Sequence, residues 1–415
     1  MEEKIKCSFC KKTKNQVNKL IAGKNQVGSI TFICDKCTTT CYLALQKTLK
    51  NTTKMEIDFL TPHEIYEELS LVVEGQEEVK KTLSTCIYNH YQRINNDDDE
   101  EPIAKSNILC VGKSGCGKTL AIKTAAEVLG VPFAVVDASS FTASGYSGAD
   151  VSSMFIPLIK NADFDIQKAE NGIIFIDEID KIMATGAEND VSGKEVQKEI
   201  LRMLEDGEVQ VSFNPNRKNH DDIKMIKTAN ITFICGGVFD GLQEIIERDL
   251  RSSVGFLTKE KKEMTYKQIM KHLTTEHLIK YGFIPELLGR LHINIIFDEL
   301  TEENLMNILV RPKNAILKQY VRLLRKDNVN LKWNSEILKY IAHEASKGKV
   351  GARGLRSMVD NALLPLMFDI PTIMKTKKSM DLMMYIDESD KLTAKLLDID
   401  SNEEYESNKI IEKNA

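Results

Sequence analysis

The stretch that decides the fold reads Gly112-Lys113-Ser114-Gly115-Cys116-Gly117-Lys118-Thr119. It fits the pattern G-x-x-x-x-G-K-[ST], and a predicted strand precedes it while a predicted helix follows it. The glycines let backbone N–H groups wrap a phosphate, and the N-terminus of the following helix adds partial positive charge. This context predicts a nucleotide site in which Lys118 reaches the β- and γ-phosphates and the Thr119 hydroxyl ligates Mg²⁺. Leu120, the next residue, is counted with the nucleotide-binding residues.

A second motif ends in two carboxylates: Ile173-Ile174-Phe175-Ile176-Asp177-Glu178. The apolar run predicts a buried strand whose carboxyl end opens onto the site, where open α/β sheets bind ligands. Asp177 would hold the Mg²⁺ shell, and Glu178 would polarise the attacking water as a base. The motif is weak alone but specific here, because it follows the phosphate loop with one more predicted strand, Phe133–Val136, between them. That extra strand distinguishes the architecture from simpler P-loop kinases.

Five short apolar runs, rich in β-branched residues, alternate with helical stretches. They are Asn107–Val111, Phe133–Val136, Gly172–Ile176, Ile231–Cys235 and Ile293–Phe297. Strands that are apolar throughout are expected where both faces of a parallel sheet are covered. The pattern predicts an α/β fold, with a three-layer domain built on a five-stranded parallel sheet.

The chain divides by composition into five parts. They are predicted as a zinc-binding domain (1–50), a polar linker (51–58), a large domain (59–298), a mostly helical small domain (299–400) and a disordered polar tail (401–415). Within the small domain, Trp333–Ala345 and Leu355–Met367 are the clearest amphipathic stretches, and Leu382–Ile386 is interpreted as a strand.

Two Cys-x-x-Cys pairs lie near the start of the chain, Cys7 with Cys10 and Cys34 with Cys37. Four thiolates at this spacing can surround Zn²⁺ tetrahedrally and leave no open coordination position, so we expect structural zinc. In so short a module metal binding supplies most of the folding free energy, on the order of 10 kcal/mol. Cys41 is interpreted as a helix residue, with competition for the metal as the alternative.

The composition of the 415 residues is that of an ordinary soluble globular protein, with 28% charged residues and a net charge of −5. This balance disfavours broad nucleic-acid binding. No stretch approaches the roughly 18 apolar residues of a membrane span, so no membrane partner is expected. We see no targeting peptide, and an odd number of cysteines fits reduced thiols and metal better than disulfides. We therefore expect a cytoplasmic location, with the bacterial cytosol favoured over an organelle.

The order of these motifs resembles the ClpX family of AAA+ protein unfoldases over residues 5–395. The matching segments are Cys7-Ser8-Phe9-Cys10, Lys19-Leu20-Ile21-Ala22-Gly23, Tyr88-Asn89-His90-Tyr91, Asp177–Ile182, Asp190-Val191-Ser192-Gly193 and Ile234-Cys235-Gly236-Gly237. The gap between the cysteine pairs is longer than is usual in the family. The resemblance implies an ATP-driven unfoldase that forms a homohexameric ring, uses ATP, magnesium and zinc, and carries a treble-clef-like zinc module.

Two segments match the family's substrate pore. Gly145-Tyr146-Ser147-Gly148 matches the first pore loop, in which Tyr146 would present a rigid, amphipathic surface to any side chain while the glycines let the loop swing. Arg217-Lys218-Asn219-His220 resembles the second loop, which implies that Arg217, Lys218 and His220 grip the substrate. Asn219 interrupts the contiguous Arg-Lys-His of the family.

Two arginines match residues that act on the γ-phosphate. Gly289-Arg290 matches the arginine finger, which implies that Arg290 acts on the ATP of the neighbouring subunit. Such a finger is worth roughly 10³–10⁵ in rate in other NTPases. Arg353, in Gly351-Ala352-Arg353-Gly354-Leu355-Arg356, matches the sensor-2 motif and would reach the γ-phosphate from the small domain.

The adenine box of the family, Val-Ile-Gly-Gln, has a counterpart at Val72-Val73, which would pack on the base. Here Glu74 intervenes before Gly75-Gln76, where the family's box is contiguous. No polar residue near the end of Ile231–Cys235 stands out as the sensor-1 residue.

Val254-Gly255-Phe256 falls where the family carries its peptidase-docking tripeptide. A Phe on a charged loop is unfavourable unless a pocket receives it, which implies docking to a ClpP-type peptidase. The alternative is a Phe tucked onto its own domain. The chain has no Gly-x-Ser-x-Gly and no His-Glu-x-x-His, as expected of a motor that hands substrates to a separate peptidase.

Two other functions remain open at this stage. One is a remodelling chaperone that works without a peptidase on the same unfolded or tagged substrates and adaptors. The other is a zinc-dependent ATPase that binds nucleic acid, which the acidic chain and the near-neutral zinc module disfavour.

Overall fold

The computed structural model of the chain describes residues 6–24, 30–41, 60–95, 103–141, 150–183, 191–212, 223–253, 264–348, 351–398 and 404–405. The chain separates into two compact units, Met1–Phe59 and Leu60–Ala415. Each unit is described by itself below.

The first unit is a hairpin followed by a helix. Strands β1 (Leu20–Lys24) and β2 (Ile30–Cys34) pair antiparallel, with Leu20 opposite Cys34, and helix α1 includes residues 35–41. Cys34 therefore ends a strand just before a helix begins, while Cys7 lies in the turn that precedes the hairpin. This arrangement brings the two cysteine pairs together.

A five-stranded parallel sheet forms the centre of the second unit. Its strands are β3 (Ile108–Val111), β4 (Phe133–Asp137), β5 (Ile173–Asp177), β8 (Thr232–Gly237) and β9 (Ile293–Ile296), in the order β4-β5-β8-β3-β9. All four neighbouring pairs are parallel, so their carboxyl ends meet at one edge. β3 is buried along its whole length and β5 up to its last residue, because helices cover both faces.

The layers around this sheet are mostly helical. The helices are α2 (Pro62–Ser70), α3 (Glu77–Asn95), α4 (Lys118–Val128), α5 (Phe155–Asn161), α6 (Ile166–Ala169), α7 (Val191–Leu204), α8 (Leu242–Ser253), α9 (Tyr266–Met270), α10 (Thr275–Tyr281) and α11 (Pro285–Leu288). A separate hairpin, β6 (Glu208–Ser212) with β7 (Ile223–Lys227), pairs antiparallel beside the sheet.

A second hydrophobic core follows the sheet and contains residues from Leu305 to Leu396. Its elements are α12 (Glu302–Val310), α13 (Ile316–Leu324), β10 (Val329–Lys332), α14 (Ser335–Lys347), α15 (Ala352–Ile373), β11 (Met380–Ile386), β12 (Leu392–Asp398) and β13 (Glu404–Tyr405). The four strands form one sheet in that order, parallel between β10 and β11 and antiparallel thereafter. We call the region from Glu302 onward the small domain.

The predicted α/β class and the five strands of the parallel sheet are confirmed, with ends shifted by one or two residues. The hairpin β6–β7 and most of the small-domain sheet were not predicted. Glu404–Tyr405 also departs from the predicted disordered tail, because it pairs as a short strand with β12. Backbone hydrogen bonds to an open sheet edge need no apolar side chains, so composition gave no signal. Among the described residues, no helix is both long and apolar enough to span a membrane.

Candidate functional site

The phosphate loop connects β3 to α4, as its glycine pattern predicts. Gly115 and Gly117 have φ angles of +71° and +101°, which residues with a Cβ rarely adopt. Gly112 is needed for a different reason, because a Cβ there would lie 2.6 Å from the Cβ of Phe297. Gly115 and Gly117 therefore turn the loop into the N-terminus of α4, while Gly112 lets its start lie against Phe297.

Lys118 is the first residue of α4 and lies at the centre of this loop. Its ammonium donates hydrogen bonds to the carbonyls of Gly112, at 2.5 Å, and Lys113, at 3.1 Å. Only 8% of the residue is exposed, so a cation is held where the loop backbone surrounds it. Burial raises the pKa of the neighbouring Cys116 thiol, which keeps a negative charge out of the loop.

The other loop residues face outward or sit at its rim. The side chain of Lys113 pairs with Glu299 and that of Leu120 is 47% exposed, while Ser114 lies partly buried in the loop. At these positions a bound phosphate would meet backbone groups rather than buried side chains.

The second motif meets the first at the carboxyl edge of the sheet. The Thr119 hydroxyl and the Asp177 carboxylate lie 3.5 Å apart, close enough for one hard cation to take both oxygens as ligands. Glu178 follows with φ +56° and ψ +32°, a left-handed conformation that costs energy for a residue with a Cβ. Its N–H donates to Asp177 at 2.9 Å, and its exposed carboxylate is thereby turned out of the strand.

A buried carboxylate beside this pair was not singled out from the sequence. Asp180 accepts hydrogen bonds from the N–H groups of Val238 and Phe239, each at 3.3 Å. A Cβ on Gly237 would lie 2.4 Å from the same carboxylate, and one on Gly236 would collide with the ring of Phe175. β8 thus ends in two glycines because its neighbour fills that space, and no polar side chain of β8 occupies the expected sensor-1 position. In the sequence, Gly236-Gly237 was the feature that could have indicated a side chain packed against the end of β8.

The predicted adenine box lies between α2 and α3. Val73 is buried and Val72 is half-buried, and both N–H groups bond to the carbonyl of Leu69. The amide of Gln76 donates to the Cys116 carbonyl of the phosphate loop at 3.3 Å. The box is therefore attached directly to the phosphate loop.

Gly351 and Ala352, at the start of α15, touch the phosphate loop from the small domain. The Ala352 N–H donates to the Gly115 carbonyl at 3.3 Å, and a Cβ on Gly351 would lie 2.8 Å from the Ser114 carbonyl oxygen. Arg353 follows on the first turn of the helix with an exposed side chain. The predicted sensor-2 residue is thus one position beyond a direct contact with the loop.

Arg290 lies just after α11 and is directed elsewhere. Its guanidinium donates to Glu205, at the end of α7, at 2.9 Å, and 55% of its side chain is exposed. In the part of the chain that the structure describes, it makes no ion pair or hydrogen bond with its own phosphate loop.

Several predicted residues lie outside the described part of the chain. They are Tyr146, Arg217, Lys218, His220, Val254, Gly255 and Phe256. Their roles stay predictions. The segment 213–222, in which the second pore loop is predicted, lies between β6 and β7 in the sequence.

The four predicted zinc ligands come together in the first unit. Their sulfur atoms all lie within 4.8 Å of one another, and Cys10 and Cys34 are 3.6 Å apart at sulfur. Tetrahedral zinc with Zn–S bonds of about 2.3 Å requires its four sulfur atoms to lie about 3.8 Å apart. The spacing of the cluster fits this requirement. The Cys34 N–H donates to the Cys7 sulfur at 3.3 Å, as expected where a thiolate is held. Cys41 belongs to α1 and lies outside this cluster.

Comparison with known families agrees with the division seen in the structure. Residues 5–47 match the ClpX C4-type zinc finger, and residues 103–294 match the AAA domain of the Cdc48 subfamily. Residues 300–380 match the C-terminal, D2-small domain of ClpB protein.

Curated relatives match nearly the whole chain. The ATP-dependent Clp protease ATP-binding subunit ClpX of Treponema denticola is 41% identical over 385 residues, which are 90% of this chain and 91% of the relative. The protein of the same name from Bacteroides thetaiotaomicron is 41% identical over 386 residues, covering 89% and 92%. The relatives are 41% identical over about nine-tenths of the chain, and the matched AAA domain contains both nucleotide motifs. The chain is therefore an ATPase and belongs to the ClpX family.

Proposed function

We propose that the chain is the ring-forming motor of an ATP-dependent protease, which unfolds proteins and threads them through its axis. The observation that carries this proposal is the meeting of Lys118, Thr119 and Asp177 at one sheet edge. Lys118 would hold the β- and γ-phosphates, and Thr119 and Asp177 would hold magnesium, whose charge stabilises the transferred phosphoryl group. Glu178, turned outward by its left-handed backbone, would take the proton of the attacking water.

Ring formation is supported by two exposed features. Arg290 faces away from its own phosphate loop, so a neighbouring subunit is needed for it to act as an arginine finger. On α15, Phe368 is 85% exposed and Leu364 is 54% exposed, one helical turn apart. Such an apolar ridge is unfavourable in water and fits burial against a second copy of the chain. A homohexamer is the assembly proposed, on the family resemblance.

Substrate handling is proposed from the sequence of the loops. Tyr146 would push a polypeptide along the axis as hydrolysis moves the small domain against the sheet domain. Val254–Phe256 would dock to a ClpP-type peptidase, which the names of the relatives, subunits of an ATP-dependent Clp protease, support. The cytoplasm is the proposed location.

The test compares ATP hydrolysis with unfolding of a tagged fluorescent substrate in the wild type and in Tyr146→Ala. We expect hydrolysis to persist while unfolding is lost. Unfolding at the wild-type rate by Tyr146→Ala would contradict the threading mechanism. Deletion of Val254–Phe256, which should abolish only degradation with added peptidase, separates docking from unfolding.

A further inference from the structure

Glu74, the residue that interrupts the adenine box, has contacts that the nucleotide site alone does not explain. Its side chain is 18% exposed, although a carboxylate beside a nucleotide would ordinarily face water. The Asn307 amide donates to it at 3.0 Å, and the Arg311 guanidinium lies 3.6 Å away. Both partners belong to the small domain, at α12 and just after it.

The segment Val72–Gln76, which we call the box segment, faces one side of α12. Asn304, Asn307 and Arg311 follow helical spacing and share that face, while Leu305 and Leu309 face the small-domain core. A Cβ on Gly75, whose φ is +68°, would lie 3.2 Å from the Asn304 amide. Asn304 and Asn307 of α12 thus both lie against the box segment, at Gly75 and Glu74.

Gln76 fixes the other end of the same segment. Its amide oxygen accepts from the Asp298 N–H at 2.9 Å, and its amide nitrogen donates to the Asp298 carbonyl at 2.7 Å. Asp298 lies between the last strand of the parallel sheet and the first helix of the small domain. The box segment is therefore held by the phosphate loop, by the connection between the two cores and by α12.

The small domain thus touches the nucleotide site at two separate places. Gly351 and Ala352 contact the phosphate loop, and Asn307 and Arg311 contact Glu74 on the adenine side. In the described part of the chain, no hydrogen bond or ion pair joins Glu74 to Lys118, Thr119 or Asp177. A substitution of Glu74 is therefore expected to change the binding of the base rather than the chemistry at the phosphate.

We propose that Glu74 is a positioning residue that ties the box segment to α12, so that the docked small domain shapes the adenine side of the site. The inference rests on the proposed packing of Val72 and Val73 on adenine. The small domain, when held by Glu74, favours the bound nucleotide, and release of that contact loosens binding without slowing hydrolysis.

The test measures KM for ATP and kcat of the full chain for Glu74→Ala, Glu74→Gln and Asn307→Ala. Glu74→Ala is expected to raise KM about three- to tenfold, the worth of one ordinary side-chain hydrogen bond, with kcat within about twofold of wild type. Glu74→Gln keeps an acceptor oxygen and should retain most of the affinity. The matched control is Glu68→Ala, which removes an exposed carboxylate of α2 and should leave KM unchanged.

A double-mutant cycle makes the test independent of general stability. Asn307→Ala should raise KM in the wild-type background but add little to Glu74→Ala, because the two side chains share one contact. An unchanged KM in Glu74→Ala, a fall in kcat without a change in KM, or equal effects of Asn307→Ala in both backgrounds would overturn the inference. If Glu74→Ala does not fold, Glu74→Met, which keeps the side-chain volume but has no acceptor oxygen for the Asn307 amide, forms the cycle with Asn307→Ala.

Failure of the proposed function is separately visible. A wild type that does not hydrolyse ATP would contradict the proposed function, and a Val73→Asp variant with the wild-type KM would contradict the adenine box. A raised KM in Val73→Asp together with an unchanged KM in Glu74→Ala would contradict only the role of Glu74.

Discussion

At the scale of single residues, three basic side chains hold the turn between β7 and β8. The carbonyls of residues 228–230 each face one of them: Lys105 at 2.7 Å, Arg93 at 2.7 Å and His90 at 2.9 Å. Burial lowers the pKa of His90 to about 3, so the imidazole is neutral and its Nε2 carries the hydrogen that the carbonyl accepts. The hairpin β6–β7 is thereby anchored to α3 and to the segment just before β3.

Lys105 makes the stability of this region depend on pH. Burial lowers the pKa of its ammonium to about 7, well below the ordinary lysine value. Between these two values the unfolded chain binds a proton that the folded chain does not, so the free energy of unfolding rises with pH. Relative to Lys105→Met, wild type should gain up to about 1 kcal/mol per pH unit above pH 7.

Urea unfolding at several pH values from 6 to 9 checks this prediction. Below about pH 7 Lys105 is protonated in both the folded and the unfolded chain. The difference in free energy of unfolding between wild type and Lys105→Met should therefore level off at its minimum. A difference that stays constant from pH 6 to 9, or that shrinks as the pH rises, would show that the buried amine keeps its proton throughout.

At the scale of elements, the zinc cluster depends on the turn of Cys7 and Cys10 and on the junction between β2 and α1. Cys34→Ser should lower the zinc content of the purified chain from one ion to well below one, because a site that has lost one thiolate ligand binds the metal much more weakly. Cys41→Ser is the matched control, since Cys41 lies in α1 outside the cluster, and it should retain one zinc. Metal analysis by mass spectrometry decides the matter. Equal zinc in both variants would mean that Cys41 substitutes as a ligand.

The start of α15 offers a second matched pair. Gly351 has φ +59° and no space for a Cβ, whereas Gly354, one turn later, has nothing within 4 Å of its own Cβ position. Gly351→Ala should push the small domain off the phosphate loop and raise the KM for ATP roughly tenfold, since a residue with a Cβ costs about 1–3 kcal/mol in this backbone conformation, with φ +59° and ψ −142°. Gly354→Ala should leave KM unchanged. Identical kinetics for the two variants would exclude a role for the contact.

The elements differ in how far the sequence predicts them. β3, β5 and β8 are apolar runs that end at or just before a glycine or an aspartate. Both the strands and the sheet edge that they share could therefore be predicted from the sequence. β12 was missed because only alternate residues are buried, Ala394 and Leu396 among them, and Lys395 breaks the apolar run. Contacts such as Glu74 with Asn307 could not be predicted, because they join residues 233 positions apart through the packing of two cores.

At the scale of the whole molecule, the apolar ridge of Leu364 and Phe368 on α15 is an exposed feature that association would cover. Phe368→Ser should reduce the mass of the ATP-dependent assembly at low protein concentration, because an aromatic side chain contributes about 2 kcal/mol or more when buried. Phe368→Tyr keeps the aromatic surface and should assemble like wild type. Sedimentation under ATP measures both. Full assembly by Phe368→Ser would place the subunit interface elsewhere.

The central claim is that the chain is an ATPase that works as a ring. The most direct measurement is steady-state ATP hydrolysis by the purified wild type and by Glu178→Gln, with the mass of the assembly recorded under ATP. We predict hydrolysis by wild type, a loss of about 10²-fold or more in Glu178→Gln and a large ATP-dependent assembly for both. A folded, zinc-loaded wild type that does not hydrolyse ATP, or a Glu178→Gln variant that turns over at the wild-type rate, would contradict it.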